Sequence, residues 1–195
     1  VAPTGYEGQL WLDDTDGSMY VYYTDPGGAS QWIGAVSRSG GILQVVSTTK
    51  TDAFSTSSTS YTDVTGLSAT ITPSSTSSKI MVMVQTHLGG LSTSFAFLQL
   101  LRDATAINIG DAAGSRSRAS SVAFSGGVTD GESYYSGQNI HFSYLDSPAT
   151  ASAVTYKLQA KTDISTIRIN SSGSDQDGSN YGRMASTITL MEVAG

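Results

Sequence analysis

The sequence predicts an all-β protein, in which an antiparallel β-sandwich of jelly-roll type follows a small three-stranded β module. Two observations carry this prediction. Apolar residues occur in short runs of strand length, separated by turns rich in Gly, Ser, Asp and Pro. No stretch of about ten residues shows the apolar stripe of an amphipathic helix. The hydrophobic content of 38% is spread over these runs, which favours a packed domain over a disordered Ser/Thr-rich tract.

The first 36 residues predict a three-stranded module. Residues 8–13 form a strand, residues 14–17 an Asp/Gly turn and residues 18–23 a second strand, which together make a hairpin. A Pro-Gly-Gly turn at 25–28 leads to a third strand over 31–36. A module this small cannot bury its large apolar side chains alone, so it needs copies of itself or a neighbouring domain. The residues expected to pack in this way are Leu10, Trp11, Leu12, Tyr20, Tyr22 and Trp32.

A polar stretch at 37–41 separates this module from the rest of the chain. We therefore place the N-terminal module in residues 1–38 and the sandwich in residues 39–195. Because the chain begins with Val1 rather than Met, we expect it to be part of something longer.

Ten further strands are predicted in the second part, with no helix between them, which fits a two-sheet sandwich. The runs at 80–84 and 95–101 are apolar on both faces, so we expect them at the centre of a sheet or under a partner chain. Residues 67–71, 166–170 and 187–192 alternate between apolar and polar, as half-exposed strands do. The predicted strands are 42–46, 67–71, 79–84, 95–101, 106–109, 120–124, 139–145, 155–160, 166–169 and 186–193.

Net charge, the length of apolar runs and the absence of cysteine disfavour several classes of partner and site. The chain has 10 Lys and Arg against 16 Asp and Glu, for a net charge of -6, which disfavours nucleic acid. No apolar run approaches the roughly 20 residues that cross a bilayer, so we expect no membrane insertion. With no cysteine, neither disulfides nor thiolate metal sites are available.

The usual sequence traces of catalysis are missing. There is no Gly-x-Ser-x-Gly elbow, phosphate loop or His-Glu-x-x-His motif. His87 and His141 stand alone, without partners at metal-ligand spacing. We therefore predict that the protein is not an enzyme and has no cofactor. A glycosidase needs only two carboxylates, so glycan degradation stays open as an alternative, although most of the acidic residues fall in turns.

Two Asp-rich turns have part of the pattern of a calcium loop. Carboxylates alternate before a glycine at Asp14 and Asp16 and again at Asp175 and Asp177. Both turns lack the distal bidentate glutamate. Asp and Gly are also common in tight turns, and this second interpretation is favoured.

Tyrosines in Gly/Ser-rich loops are the candidate ligand contacts. Tyr134, Tyr135 and Tyr181 have an apolar ring and a polar tip, which suits sugar stacking or contact with a partner chain as well as packing against the sandwich edge. Arg116 and Arg118 have two possible roles, which are binding acidic sugars and capping loop carbonyls, and the second interpretation is favoured.

Two groups of motifs resemble those of known proteins. The first is Gly8-Gln-Leu-Trp-Leu-Asp, Tyr20-Val-Tyr-Tyr23 and Gln31-Trp-Ile33, which resembles a short repeated module of marine phage fibre proteins. The second includes Asp63-Val-Thr-Gly-Leu67 and Leu145-Asp-Ser-Pro148, and looks like the C-terminal domain of cyanophage-type virion proteins.

This resemblance implies a tail-fibre or receptor-binding component on the exterior of a tailed-phage particle. It further implies a homotrimer that contacts other virion proteins and attaches to a host surface glycan or protein. Two alternatives remain. One is a capsid decoration or head-fibre protein without a host ligand, and the other is a fibre-borne protein that binds or degrades glycans.

Overall fold

The computed structural model describes residues 2–15, 17–35, 41–89, 94–124, 135 and 137–195. These described residues form fourteen β-strands and no helix, which confirms the predicted all-β class. The chain divides into two compact units, Val1–Gly41 and Ile42–Gly195. The predicted boundary between residues 38 and 39 lies outside the described residues.

The N-terminal unit is a three-stranded antiparallel sheet in the order of the sequence. Its strands are β1 (Leu10–Asp13), β2 (Ser18–Thr24) and β3 (Ser30–Gly34). The turn between β2 and β3 ends at Gly28, whose φ of 84° favours glycine and whose amide donates to the Asp25 carbonyl at 2.9 Å. The predicted hairpin and third strand are therefore present.

Eleven strands make up the described part of the C-terminal unit. All ten predicted strands are found. The one described strand that the sequence does not predict is the three-residue segment Phe54–Thr56. The strands are β4 (Ile42–Lys50), β5 (Phe54–Thr56), β6 (Thr62–Ile71), β7 (Lys79–Gly89), β8 (Phe95–Arg102), β9 (Thr105–Ile107), β10 (Ser121–Phe124), β11 (Gly137–Asp146), β12 (Val154–Thr162), β13 (Ile167–Ile169) and β14 (Ser186–Val193).

These strands form two antiparallel sheets that pack as a sandwich. In the six-stranded sheet, β7 pairs with β11 on one side and with β14 and then β13 on the other, while β4 and β5 lie beyond them. In the five-stranded sheet, β8 lies between β12 and the short strands β9 and β10, and β6 is the far edge. The two strands that are apolar on both faces, β7 and β8, are thus central in their sheets, as predicted.

The core lies between the sheets and follows the two-residue period of the strands. Along β12 the inward side chains Val154, Tyr156, Leu158 and Ala160 are buried, and the intervening residues are partly exposed. Each fully buried aliphatic side chain of this kind contributes about 1.5–3 kcal/mol to folding. The interior is therefore the main source of stability.

A buried polar cluster connects the two sheets. Asp146, at the end of β11, is 4% exposed and accepts two hydrogen bonds of 3.0 Å from Arg102 Nη1 on β8. The Tyr156 hydroxyl on β12 donates to the same carboxylate at 2.6 Å. Burial, together with the neighbouring Asp146 carboxylate, raises the pKa of Tyr156. Removing one partner would leave a buried charge poorly compensated, so the cluster fixes how the sheets align at this end.

A second buried carboxylate anchors the loop between β6 and β7. Glu192 on β14 is fully buried and accepts hydrogen bonds from Gln44 Nε2 on β4 and from both the amide and the hydroxyl of Ser74. Burial alone raises the pKa of this carboxyl, but the hydrogen bonds from Gln44 and Ser74 outweigh that effect and lower the pKa to about 2. Glu192 is therefore ionised inside the fold.

Two polar residues differ from the half-exposed pattern predicted for their strands. Glu192 has the same parity as Ile188 and Leu190, so it faces the interior rather than solvent. Asn170, at the end of the predicted strand 166–170, is also fully buried. The sequence pattern is wrong at both positions because satisfied hydrogen bonds permit burial of polar groups, and the pattern contains no information about partners.

Glu192→Gln is expected to lower the free energy of unfolding at pH 7 by about 1–3 kcal/mol, because an amide cannot replace the carboxylate as an acceptor for all of these donors. The folded-state pKa is depressed, so the carboxylate stabilises the fold above pH 4.5, and this contribution is lost as the pH falls to about 2. Urea unfolding at several pH values between 7 and 2 measures both effects.

The matched control is Asp111→Asn, which removes a carboxylate from an exposed loop. We expect Glu192→Gln, but not Asp111→Asn, to flatten the loss of stability between pH 4.5 and pH 2. Identical pH profiles for the two variants would contradict the assigned role of Glu192.

Candidate functional site

The loop between β13 and β14, residues 170–185, carries the candidate site and begins at a strained, buried asparagine. Asn170 has a φ of 65°, a left-handed conformation that asparagine tolerates better than most residues. Its Nδ2 donates to the carbonyls of Lys50 (2.8 Å) and Asp52 (3.1 Å). Its Oδ1 accepts from the Ser186 hydroxyl at 2.6 Å. Asn170 therefore joins the start of the loop to its end and to β4.

Backbone hydrogen bonds close the base of the loop. Ser171 forms an isolated antiparallel bridge with Arg183, and the Ser172 amide donates to the Gly182 carbonyl at 3.2 Å. The Met184 amide donates to the Asn170 carbonyl at 3.2 Å. The loop tip is consequently held on a short ladder that continues the sheet.

The loop tip encloses a polar cavity of about 330 Å³ beside a pair of tyrosines. The rings of Tyr135 and Tyr181 lie 5.0 Å apart and tilted by 48°. The Tyr181 hydroxyl donates to Gln176 Oε1 at 2.8 Å, which orients the ring. The cavity is lined by Asp175, Gln176, Asp177, Gly178, Tyr181, Gly182 and Arg183.

An ion pair lies in the same cavity. Arg183 Nη2 is 2.7 Å from Asp175 Oδ1, and both side chains are substantially exposed. An exposed pair of this kind contributes at most about 1 kcal/mol to stability. Its larger effect is to hold a guanidinium and a carboxylate in fixed positions next to the tyrosine rings.

A second polar cavity of about 200 Å³ lies on the β5 side of Asp175, and Arg168 lines it. The Arg168 guanidinium donates to the Gly173 carbonyl at 2.9 Å. Asp175 thus borders two adjacent cavities, each with its own arginine. Together they offer donors and acceptors for a polar ligand, with the tyrosine pair as an apolar platform.

The structure brings together two of the three predicted tyrosines. Tyr135 and Tyr181 are far apart in the sequence and meet at this loop. Tyr134 lies outside the described residues. The sequence indicates the residue type and the loop context, but not the contact between the rings or the Asp175–Arg183 pair.

In both Asp-rich turns, a carboxylate interacts with a neighbouring residue of the protein. Asp175 is paired with the Arg183 guanidinium, a positive charge that competes with a cation at this carboxylate. In the N-terminal turn, the Asp13 carboxylate accepts from the Thr15 hydroxyl and amide, and these hydrogen bonds lower the pKa of Asp13. Asp16 lies outside the described residues. Among the described residues, no group of three or more His, Cys, Asp or Glu is placed to hold a metal.

The predicted packing set of the N-terminal module is divided between two faces of its sheet. The aromatic residues form a cluster on one face, in which Trp11 stacks on Tyr20 at 5.2 Å and Trp32 meets the edge of Tyr22 at 5.2 Å. Trp32 Nε1 also donates to the Pro3 carbonyl, so the N-terminal segment reaches this face. Leu10 and Leu12 lie on the opposite face and are 63% and 60% exposed.

The other singled-out side chains have structural roles. Arg116 donates to the Ala113 carbonyl and Arg118 to the Gly110 carbonyl, as the favoured interpretation of these arginines predicts. His87 packs against Gly137, and its burial lowers the pKa of the imidazole. His141 lies on the outer face of β11, beside β7.

No protein-family model matches the chain, and no curated protein is significantly similar to it. Within the described ranges there is no helix long and apolar enough to span a membrane.

Substitution of Asn170 tests how the loop is anchored. Asn170→Ala removes three hydrogen bonds and places a Cβ-bearing residue without a compensating side chain at positive φ, whereas Asn170→Gly removes the same bonds without the backbone strain. We expect both variants to lose about 2–3 kcal/mol of unfolding free energy. The alanine variant should lose about 1 kcal/mol more than the glycine variant. Denaturant unfolding measures the difference, and equal stabilities would contradict a strained anchor.

Proposed function

We propose that this chain is an attachment component of a tailed-phage fibre. It is displayed on the particle exterior in several copies, a trimer by the resemblance of its C-terminal motifs, and it binds a host surface glycan or protein without chemical turnover. The observation that carries the proposal is the loop cavity in which the Tyr135–Tyr181 pair lies beside the Asp175–Arg183 ion pair.

The chemistry of this cavity supports binding of a saccharide in particular. Sugar rings present apolar C–H faces and a rim of hydroxyls, which match an aromatic platform bordered by a carboxylate, a guanidinium and an amide. Gln176 and Arg183 are oriented by contacts within the protein before any ligand arrives, which reduces the entropy cost of binding. The ion pair that lines the cavity is substantially exposed to water, so we expect one site to give modest affinity.

Several copies would compensate for a weak single site. The aliphatic face of the N-terminal sheet leaves Leu10, Leu12 and Met19 exposed, which supports association of the modules. Linked sites raise the effective concentration of the second binding event and increase avidity by roughly 10²–10⁴. This is how an attachment protein works without tight individual contacts.

Binding to cell-envelope preparations from marine cyanobacteria tests the proposal. The full chain is expected to bind at least one such preparation, and Tyr181→Ala to weaken binding about tenfold, the equivalent of about 1.4 kcal/mol. Tyr6→Ala is the matched control, because Tyr6 is 72% exposed and belongs to the N-terminal unit. Periodate oxidation of the envelope abolishes binding if the receptor is a glycan, and protease treatment does so if it is a protein.

Equal losses for the Tyr181 and Tyr6 variants would contradict the assigned site. If no envelope preparation binds, and antibodies against the chain label the capsid rather than the fibres of the particle, the protein is a capsid decoration protein. Release of soluble sugar from a bound envelope would contradict binding without turnover.

A further inference from the structure

Across β4, β14, β7 and β11, the outer face of the six-stranded sheet has almost no charge, and Arg168 lies on β13 outside this part of the face. Its strands run in register, so the outward residues form rows across β4, β14, β7 and β11. One row is entirely apolar: Val45 pairs with Met191, Met191 with Met81, and Met81 with Leu145. Ile42 and Val193 extend it, and Lys79 beside Val193 is the single charged residue in these rows of the described strands.

The next rows are polar and contain no Lys, Arg, Asp or Glu. Met83 lies in a row with Ser47, Thr189 and Ser143. The row after that contains Thr49, Thr187, Gln85 and His141. Apart from Lys79, these rows therefore consist of apolar side chains, hydroxyls, the Gln85 amide and the His141 imidazole.

The outer face of the five-stranded sheet is built differently. Lys157 and Asp63 form an ion pair of 2.8 Å across β12 and β6. Lys161 extends over the ring of Phe97 at 5.1 Å and over that of Tyr61 at 5.0 Å, which places a hydrated charge above the aromatic surface. This face carries the charges of a surface that contacts water. The two outer faces of the sandwich thus differ in charge.

Exposure on the uncharged face is high. Ile42 is 60% exposed, Val45 56%, Met83 45% and Leu145 44%. Single exposed apolar residues are common, but contiguous apolar patches indicate an interaction surface. The rows cover about 19 Å by 24 Å, or about 450 Å² in projection, from strand spacing and rise. A standard interface buries about 800 Å² per partner, so these rows would supply about half of one partner's share.

The same face has a recess at its polar end and exposed apolar side chains at the other end. A cavity of about 270 Å³ lies over the polar rows, lined by Met83, Gln85, His141, Ser143, Thr187 and Thr189. Ile42 and Val45 are exposed at the opposite, apolar end of the rows. Copies related by symmetry can bring the apolar ends of their faces together, so that the same patch is used by every copy.

We propose that a second copy of this chain covers the outer face of the six-stranded sheet. An uncharged face meets its own copy without repulsion and offers no electrostatic attraction to a charged partner. Ile42, at the apolar end of the rows, directly follows the N-terminal unit in the chain. Association of the N-terminal units of several copies therefore raises the effective concentration of these apolar ends for one another. The inference rests on the proposed function only for the presence of several copies, and it assigns the contact to the C-terminal sandwich.

Cysteine cross-linking of the full chain tests this contact, since the chain has no native cysteine. Val45→Cys is expected to form cross-linked species with a short bis-maleimide in more than half of the chains. Thr70→Cys, on the exposed edge strand of the other sheet, is expected to give less than a tenth of that yield. Equal yields at the two positions would overturn the inference.

Charge insertion provides an independent readout. Val45→Lys and Met83→Lys are each expected to weaken self-association at least tenfold by sedimentation, while Thr70→Lys leaves it unchanged. If the protein self-associates but all three variants match the unaltered chain, the contact lies elsewhere and the inference fails. The envelope-binding test of Tyr181 is a separate measurement, so failure here and failure of the attachment function are distinguishable.

Discussion

Each strand of a two-sheet sandwich has two faces, and the core can bury only one of them. This constraint determines most of what the C-terminal unit does. The inward positions are occupied by aliphatic side chains such as Leu158, Ile188 and Leu190, all fully buried. The outward side chains do not have to be apolar for the core to form, so their chemistry reflects contacts made outside the core. In the described strands, one outward face carries lysines and an ion pair, and the other carries methionines, valines and hydroxyls.

Polar groups enter the interior only where their hydrogen bonds are completed. Asp146 accepts from both Arg102 and Tyr156, and Glu192 accepts from Gln44 and Ser74. Both carboxylates lie at strand ends or loops rather than at the middle of the core. They fix where the sheets and loops begin, a task that non-directional apolar packing performs poorly. Asn170 does the same for the loop that carries the tyrosine pair.

The strands were predictable because turns rich in Gly, Ser and Asp separate apolar runs of the right length. The central positions of β7 and β8 followed from their apolar character on both faces. Three-residue β5 was not predictable, since Phe54–Thr56 has too few residues to show a period. The burial of Glu192 was not predicted, although the residue lies two positions after Leu190 on the inner face, because its hydrogen-bond partners come from β4 and the loop after β6.

The candidate site was only partly predictable for a related reason. Loop tyrosines can be identified from composition, but the meeting of Tyr135 with Tyr181 depends on the sheet that positions both loops. The division of Leu10 and Leu12 from the aromatic cluster depends on strand register in the same way. Register also creates the uncharged row from Val45 to Leu145, whose members come from four separate strands.

The central claim is that these uncharged faces are covered when the protein associates with itself. Sedimentation equilibrium of the unaltered chain at micromolar concentration tests it most directly. The account predicts a mass that is a multiple of the 20.3 kDa of one chain, and three copies if the proposed fibre role holds. A mass of one chain at all concentrations would contradict it.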